Sequence, residues 1–329
     1  MKILVFEYIT GGGFNKQALP DSLAYEGRLM LNALLDNLSR LNALDITLML
    51  DWRLDDAVNT TAVNTVIISP EHDISETFMQ LVKQADAVWP VAPEFDGILQ
   101  SLCQTVESLG KILLTSPAAA VAIAGDKFKT YKLLNRHRIN AVPTRMFENI
   151  YEPGEWIIKP LDGAGCNGSY VINNAEDFSE ITGFSSPYII QPHLQGDKTS
   201  LSCLFKHGRA WLICANLQRF DFINRQYHLA EIVVNHHADL GAYQPLIEGI
   251  ARALPELWGY VGIDLIETAG DIQVLEINPR LTTSFTGLYA ALGINIAELV
   301  LQLVQGEPVI KPTRNTPVNI QMQQEIHAN

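Results

Sequence analysis

Cysteine is scarce in this 329-residue chain: only Cys103, Cys166, Cys203 and Cys214 occur, with no C-x-x-C pair among them. None stands at zinc-ligand spacing from any of the eight histidines, so neither a structural zinc nor a disulfide framework is expected. The thiols read as free cysteines of a reducing cytoplasm. Basic residues are also few, 23 against 36 acidic ones, for a net charge of -13. That balance excludes a broad phosphate-binding face for nucleic acid, so an anionic ligand has to be held by a local cationic site. No apolar run is long enough to span a bilayer, and no membrane partner is expected. The apolar N-terminal stretch is broken by Glu7, so it reads as a buried first strand rather than a signal peptide.

What the chain does have is a 47% apolar content laid out with clear period, enough for two or three compact domains. Short β-rich runs at 3–8, 46–50, 63–68, 87–91 and 111–115 alternate with segments of helical period, which predicts a parallel sheet flanked by helices. Leu23, Leu29, Met30, Ala33, Leu34 and Leu38 recur at three- and four-residue spacing and mark the face of the first helix that packs on that sheet. Ser116-Pro117 signals a helix start and a domain junction, and a second helix is expected over 126–137.

Strands at 155–160, 169–172 and 188–191, with a helix over 175–181, predict a small α+β unit. Strands at 200–206 and 209–217 meet at His207-Gly208, a dipeptide suited to a tight hairpin. After a helix near 240–254, runs at 260–267 and 272–277 form another hairpin. The fold class is therefore α/β and α+β. A parallel α/β domain at 1–116 is followed by two α+β subdomains at 117–195 and 196–311, and a polar tail at 312–329 is expected to be loosely attached.

Chemistry concentrates in three places. The run Ile157-Ile158-Lys159-Pro160 leads into a loop carrying Gly163, Gly165 and Gly168. Glycine lets backbone N–H groups approach phosphate oxygens, and lysine supplies a point charge. A glycine-rich turn between strands is by itself often only a hairpin; the lysine at the strand end shifts that balance. Next, Glu276 and Asn278 share one face of a strand, and the partner strand can bring Asp264 beside them. Three hard oxygen ligands suit Mg²⁺, although such a set can also be a solvated strand end. Arg280 follows at once, with a planar guanidinium able to clamp a carboxylate or a transferring phosphoryl group. The hydroxyl-rich stretch after it, Thr282-Thr283-Ser284, either lines the same site or caps the next helix.

Taken in order, Asp126-Lys127, Ile158-Lys159-Pro160 with its loop, Gln191-Pro192-His193-Leu194-Gln195-Gly196, Asp264 and Glu276-Ile277-Asn278-Pro279-Arg280 resemble the ATP-grasp superfamily over nearly the whole chain. The resemblance implies two α+β subdomains that clamp ATP between them. It makes Lys127 and Lys159 the phosphate lysines and the 163–168 loop a lid over the phosphates. Backbone groups near Gln191 and at Leu194 would read adenine, while Asp264, Glu276 and Asn278 would hold Mg²⁺ or Mn²⁺. The family usually carries glutamate where Gln191 stands, and an acidic ribose ligand where this chain has Lys198. Asp197 is the expected substitute for the latter.

A narrower resemblance, to the tyramine–glutamate ligases of methanofuran biosynthesis, lies in Phe6-Glu7-Tyr8-Ile9-Thr10-Gly11-Gly12-Gly13-Phe14, Glu26-Gly27-Arg28-Leu29-Met30 and Asn216-Leu217-Gln218. It implies substrate roles for Glu7 and Arg28 near the carboxyl end of strand one, where open α/β sheets bind ligands. The implied activity is an ATP-dependent, ADP-forming ligation of a small acid, glutamate among the candidates, to an amine such as tyramine or tyrosine through an acyl phosphate. Arg280 and Lys159 would serve the chemistry. A kinase of a small acid and a nucleotide-binding regulatory protein without turnover are the competing readings. A dinucleotide-binding oxidoreductase is disfavoured because Gly11-Gly12-Gly13 does not fit G-x-G-x-x-G. A homodimer is the default assembly.

Overall fold

A computed structural model describes residues 1–322 except 62, 164, 165, 167, 182–186 and 238. The N-terminal unit holds β1 (Lys2–Glu7), α1 (Asp21–Ser39), β2 (Asp45–Asp51), β3 (Asn64–Ile68), α2 (Ile74–Gln84), β4 (Ala87–Val91), α3 (Ile98–Ser108) and β5 (Ile112–Leu113). Its strands form one sheet in the order β3-β2-β1-β4-β5, with every pairing parallel. Successive side chains of β1 serve opposite faces, as strand geometry requires. Ile3 and Val5 meet Leu34 and Leu38 of α1, while Leu4 and Phe6 meet Phe78 and Val82 of α2. The strand is thus buried on both sides, the usual condition of a central parallel strand.

Two helices, α4 (Ala118–Ala124) and α5 (Lys127–Arg136), lead out of this sheet. Asp126 caps α5 by accepting from Lys129 N at 2.8 Å, which places Lys127 at the first helical position. Then come β6 (Arg145–Met146), β7 (Trp156–Pro160), β8 (Tyr170–Ile172), α6 (Ala175–Glu180) and β9 (Tyr188–Pro192). These strands form an antiparallel sheet in the order β6-β9-β7-β8, over a small core that includes Ile158, Ile172 and Ile190.

The last unit contains β10 (Asp197–Lys206), β11 (Arg209–Ile223), β12 (Gln226–Val234), α7 (Gln244–Ala253), β13 (Gly259–Thr268), β14 (Asp271–Asn278), α8 (Phe285–Leu292), α9 (Ile296–Gln305) and β15 (Val318–Gln321). Its antiparallel sheet runs β14-β13-β10-β11-β12-β15. His207 and Gly208 both have positive φ, 48° and 74°, and close the β10–β11 hairpin as the dipeptide suggests. Within the tail expected to be loose, β15 pairs with β12, Ile320 opposite Ile232, and completes the sheet edge, while residues 323–329 lie outside the described residues.

Helix α1 packs on α8 and α9, so the first and last units share one core, in which Leu34 and Leu38 lie with Phe285, Leu288 and Leu299. Asn37 on α1 accepts from Ile296 N at 3.1 Å and so satisfies an otherwise free amide at the start of α9. Among the described residues, no single helix is long and apolar enough to cross a membrane.

Candidate active site

The β13–β14 hairpin puts Asp264 directly opposite Glu276, beside a β-bulge that separates Asp264 from Leu265 in the ladder. Asn278 Nδ2 donates to Asp264 Oδ2 at 2.9 Å, and Gln218 Nε2, reaching over from β11, donates to Asp264 Oδ1 at 3.0 Å. Burial and the neighbouring Glu276 carboxylate push Asp264 up to about 7. Burial would raise Glu276 as well, but the ammonium groups of Lys127 and Lys159 outweigh it and pull its carboxyl well below the usual range. Two facing carboxylates that resist joint ionisation, with the Asn278 amide beside them to offer its oxygen, make a donor set that fits Mg²⁺. Among the described residues no group of three His, Cys, Asp or Glu side chains can hold a metal; the third donor here is an amide.

Two lysines face these carboxylates. Lys127 is 8% exposed; its Nζ donates to Gly163 O at 2.6 Å and lies 3.4 Å from Glu276 Oε2. It thereby ties the glycine loop to the start of α5. Lys159 at the end of β7 is 7% exposed, and burial lowers its pKa to about 8 despite the nearby Glu276. A desolvated ammonium with little compensation is poised for an anion.

One cavity lies between the four-stranded and six-stranded sheets. It is lined by Lys127, Lys159, Gly163, Gln191, Leu194, Asp264, Glu276, Asn278 and Arg280, all singled out from sequence. Gly165 lies outside the described residues. Gly168 has φ 71°, which favours glycine at that turn, but it does not line the cavity.

At one end of the cavity, Gln191 is 1% exposed and donates through Nε2 to Thr144 Oγ1 at 2.8 Å, while its buried Oε1 has no partner among the described residues. The expectation for Asp197 is corrected: it is exposed and lies off the cavity. Lys198 lines the wall instead, its ammonium 4.2 Å from the centre of the Tyr227 ring.

At the other end, Arg280 is held at two points by a residue that sequence reasoning missed, and its Nη1 donates to Leu281 O at 3.1 Å. Its Nε and Nη2 donate to Glu94 Oε1 and Oε2 at 2.9 and 2.8 Å. Sequence reasoning also missed Glu26, which lines the cavity and accepts from Thr283 Oγ1 at 3.0 Å. Glu26 stands two residues from the expected Arg28, on an amphipathic helix where only docking against α8 distinguishes a site residue from a surface one.

The expectations for Glu7 and Arg28 are corrected. Glu7 does sit at the end of β1, but it is 2% exposed and bound by Thr10 N at 2.7 Å, Thr10 Oγ1 at 2.6 Å and Ile9 N at 3.3 Å. It holds the turn after the strand and does not reach the cavity. Arg28 is half-buried against Tyr25 and is also off the cavity.

Comparison with known proteins identifies the fold. The ATP-grasp domain family matches residues 124–284, and the pre ATP-grasp 3 domain family matches residues 44–121. The chain belongs to the ATP-grasp superfamily. Among similar ATP-grasp proteins is the tyramine–L-glutamate ligase of Methanocaldococcus jannaschii, 27% identical over 93% of this chain and 90% of that one. Among solved structures, an ATP-grasp superfamily protein from Archaeoglobus fulgidus aligns with a TM-score of 0.69 at 23% identity, over 98% of this chain and 100% of that one. An L-amino acid ligase from Bacillus licheniformis aligns with a TM-score of 0.70 at 16% identity, over 95% and 78%. The chain is an ATP-dependent, amide-forming ligase, similar over 93% of its length to proteins named tyramine–L-glutamate ligase.

Proposed function

We propose that this ligase joins the carboxyl group of a small amino acid, glutamate before others, to a primary amine of the tyramine or tyrosine type. The reading is carried by one continuous cavity with Gln191 and Leu194 at one end, Arg280 and Glu26 at the other, and the carboxylate–lysine cluster between them. Such a cavity suits ATP at the first end and the two organic substrates at the second. The relatives named as tyramine–glutamate ligases support these substrates.

A carboxylate oxygen of the acid attacks the γ-phosphorus, the bond from that phosphorus to the β-phosphate oxygen breaks, and ADP leaves with the bonding pair. The amine, in its neutral form, then attacks the acyl carbon and displaces phosphate. Lys127 and Lys159 neutralise charge on the phosphates, and Lys127 also anchors Gly163, where the glycine loop begins, to the start of α5. Asp264, Glu276 and Asn278 would hold Mg²⁺, which supplies positive charge toward the phosphate oxygens. Arg280, held in place by Glu94, faces the acid and the transferring phosphoryl group as a fixed charge. No side-chain nucleophile is required, since positioning and electrostatics supply most of the rate enhancement in phosphoryl transfer. A reducing cytoplasm is the setting this reading favours, and four unpaired cysteines are in keeping with it.

The test is ADP release measured with acids and amines in pairs, with the product weighed by mass spectrometry. Release that requires both substrates and yields the amide is expected. Equal release with the acid alone and no amide would make the chain a carboxylate kinase.

A further inference from the structure

Three carboxylates, those of Glu7, Glu26 and Glu94, bear on the Arg280 guanidinium from different elements. One guanidinium is thus shared by three carboxyl groups at this end of the cavity. Glu94 is committed to Arg280 through both of its oxygens, and Glu7 to three hydrogen bonds from Ile9 and Thr10. A Cβ on Gly27 would lie 2.6 Å from Glu7 Oε2, so α1 itself walls Glu7 off.

Glu26 differs from both. It lines the cavity, and only its Oε2 is engaged, by the hydroxyl of Thr283; Oε1 has no hydrogen bond among the described residues. Burial raises its pKa, as expected of a carboxylate drawn from water without a cation of its own. The same cavity also has aliphatic wall on β12: Ile232 stands across the ladder from Gln218, and Leu229 lines the space further along the strand. A single desolvated carboxylate in a cavity with aliphatic wall matches a primary ammonium carried on an apolar arm.

We propose that Glu26 receives the ammonium group of a substrate at this end of the cavity, with Thr283 fixing the carboxylate and Leu229 and Ile232 flanking the substrate's apolar part. The inference rests on the ligase reading above and names the residue that selects for the ammonium group. Two substrates carry such a group, the acceptor amine and an amino acid used as the acid.

The experiment compares wild type with Glu26→Gln, which keeps size and the Thr283 contact while removing the charge, and with Glu26→Asp. Amide formation by the wild-type enzyme comes first, and its absence would overturn the ligase reading and this inference with it. Given activity, Glu26→Gln is expected to raise the KM of one ammonium-bearing substrate at least tenfold, roughly the effect of losing one charged hydrogen bond, with the KM for ATP and the melting temperature unchanged. A rise for the amine identifies the acceptor subsite, and a rise for the amino acid that disappears with the desamino acid identifies the acid subsite; either supports the proposal. Glu26→Asp should recover part of the loss. An unchanged KM for both organic substrates, or an equal rise for ATP, overturns it.

Discussion

Glu94, in the loop after β4, and Arg280, just beyond β14, form a two-point ion pair at 2.8 and 2.9 Å with side chains 7% and 12% exposed. The contact joins the N-terminal sheet to the end of the catalytic hairpin. Arg280 is therefore a guanidinium aimed in advance, held by a residue 186 positions away in sequence.

Removing Glu94 takes from the buried Arg280 the one carboxylate that hydrogen-bonds to it among the described residues. Glu94→Ala is expected to lower stability by about 3–5 kcal/mol, because an uncompensated interior charge costs more than the pair itself contributes. A urea denaturation series checks this. A midpoint unchanged from wild type, with an unchanged slope, would mean that water compensates Arg280.

Glu276→Ala removes the carboxylate that faces both lysines and Asp264. Turnover should fall by about 100-fold or more, in line with loss of a preorganised electrostatic group. ADP release at several Mg²⁺ concentrations is the measurement, and full activity at ordinary Mg²⁺ would remove Glu276 from the metal site.

Gln218 acts one layer further out, through its 3.0 Å donation to Asp264 Oδ1. Gln218→Ala should raise the Mg²⁺ concentration for half-maximal activity by roughly 10–100-fold, the usual effect of removing a partner that orients a ligand. If only the KM of an organic substrate shifts, Gln218 contacts substrate rather than supporting the metal ligand.

Much of this site was legible because its chemistry is local. Glu276 and Asn278 stand two apart on a strand, Lys159 ends a strand before a glycine loop, and the β13–β14 hairpin is short enough to place Asp264 from sequence alone. What was hidden depends on docking. Strand β12 follows a turn at Asn224 and Arg225, both with positive φ, where no glycine announces a hairpin. Strand β15 is polar and owes its position to backbone pairing with β12. Helices α8 and α9 lie in the same hidden class, since nothing before them fixes which way the chain turns after Arg280. Glu26 lies inside a motif from which only Arg28 was given a role and Glu94 in a loop given none, and their placement appears when α1 meets α8 and the β4 loop meets Arg280. Glu7 shows the reverse error: a carboxylate at a strand end is a good place for a ligand contact, but the next turn consumed it.

Gly27 gives a sign test of that last point. Glycine within a helix ordinarily costs about 0.5–1 kcal/mol relative to alanine, so Gly27→Ala would stabilise an open helix face. Here the new Cβ would lie 2.6 Å from Glu7 Oε2, an atom held by two hydrogen bonds from Thr10. Sterics should win and the melting temperature should drop. A rise would mean that Glu7 moves aside freely and is not the fixed support of its turn.

Lys159 offers a test in pH. Burial holds its pKa near about 8 in the free protein, against 10.5 for an ordinary lysine, and a bound polyphosphate favours the charged form and raises that value again. Nucleotide binding therefore takes up a proton wherever free Lys159 is neutral and bound Lys159 is charged. The sign follows: affinity is complete below about 8 and declines as pH rises through it, by at most about tenfold per unit until the bound-state pKa is reached. The last proton of a terminal phosphate is already gone by then, since it titrates near about 6. Calorimetric titration of ATP from pH 7 to 9.5 at saturating Mg²⁺, in buffers of different ionisation enthalpy, reads both the affinity and the proton uptake. Lys159→Arg keeps its charge throughout this range, because a guanidinium does not deprotonate in proteins, so its affinity should be flat even if weaker. An equal slope in wild type and Lys159→Arg would move the titrating group away from Lys159 and detach this lysine from the phosphates.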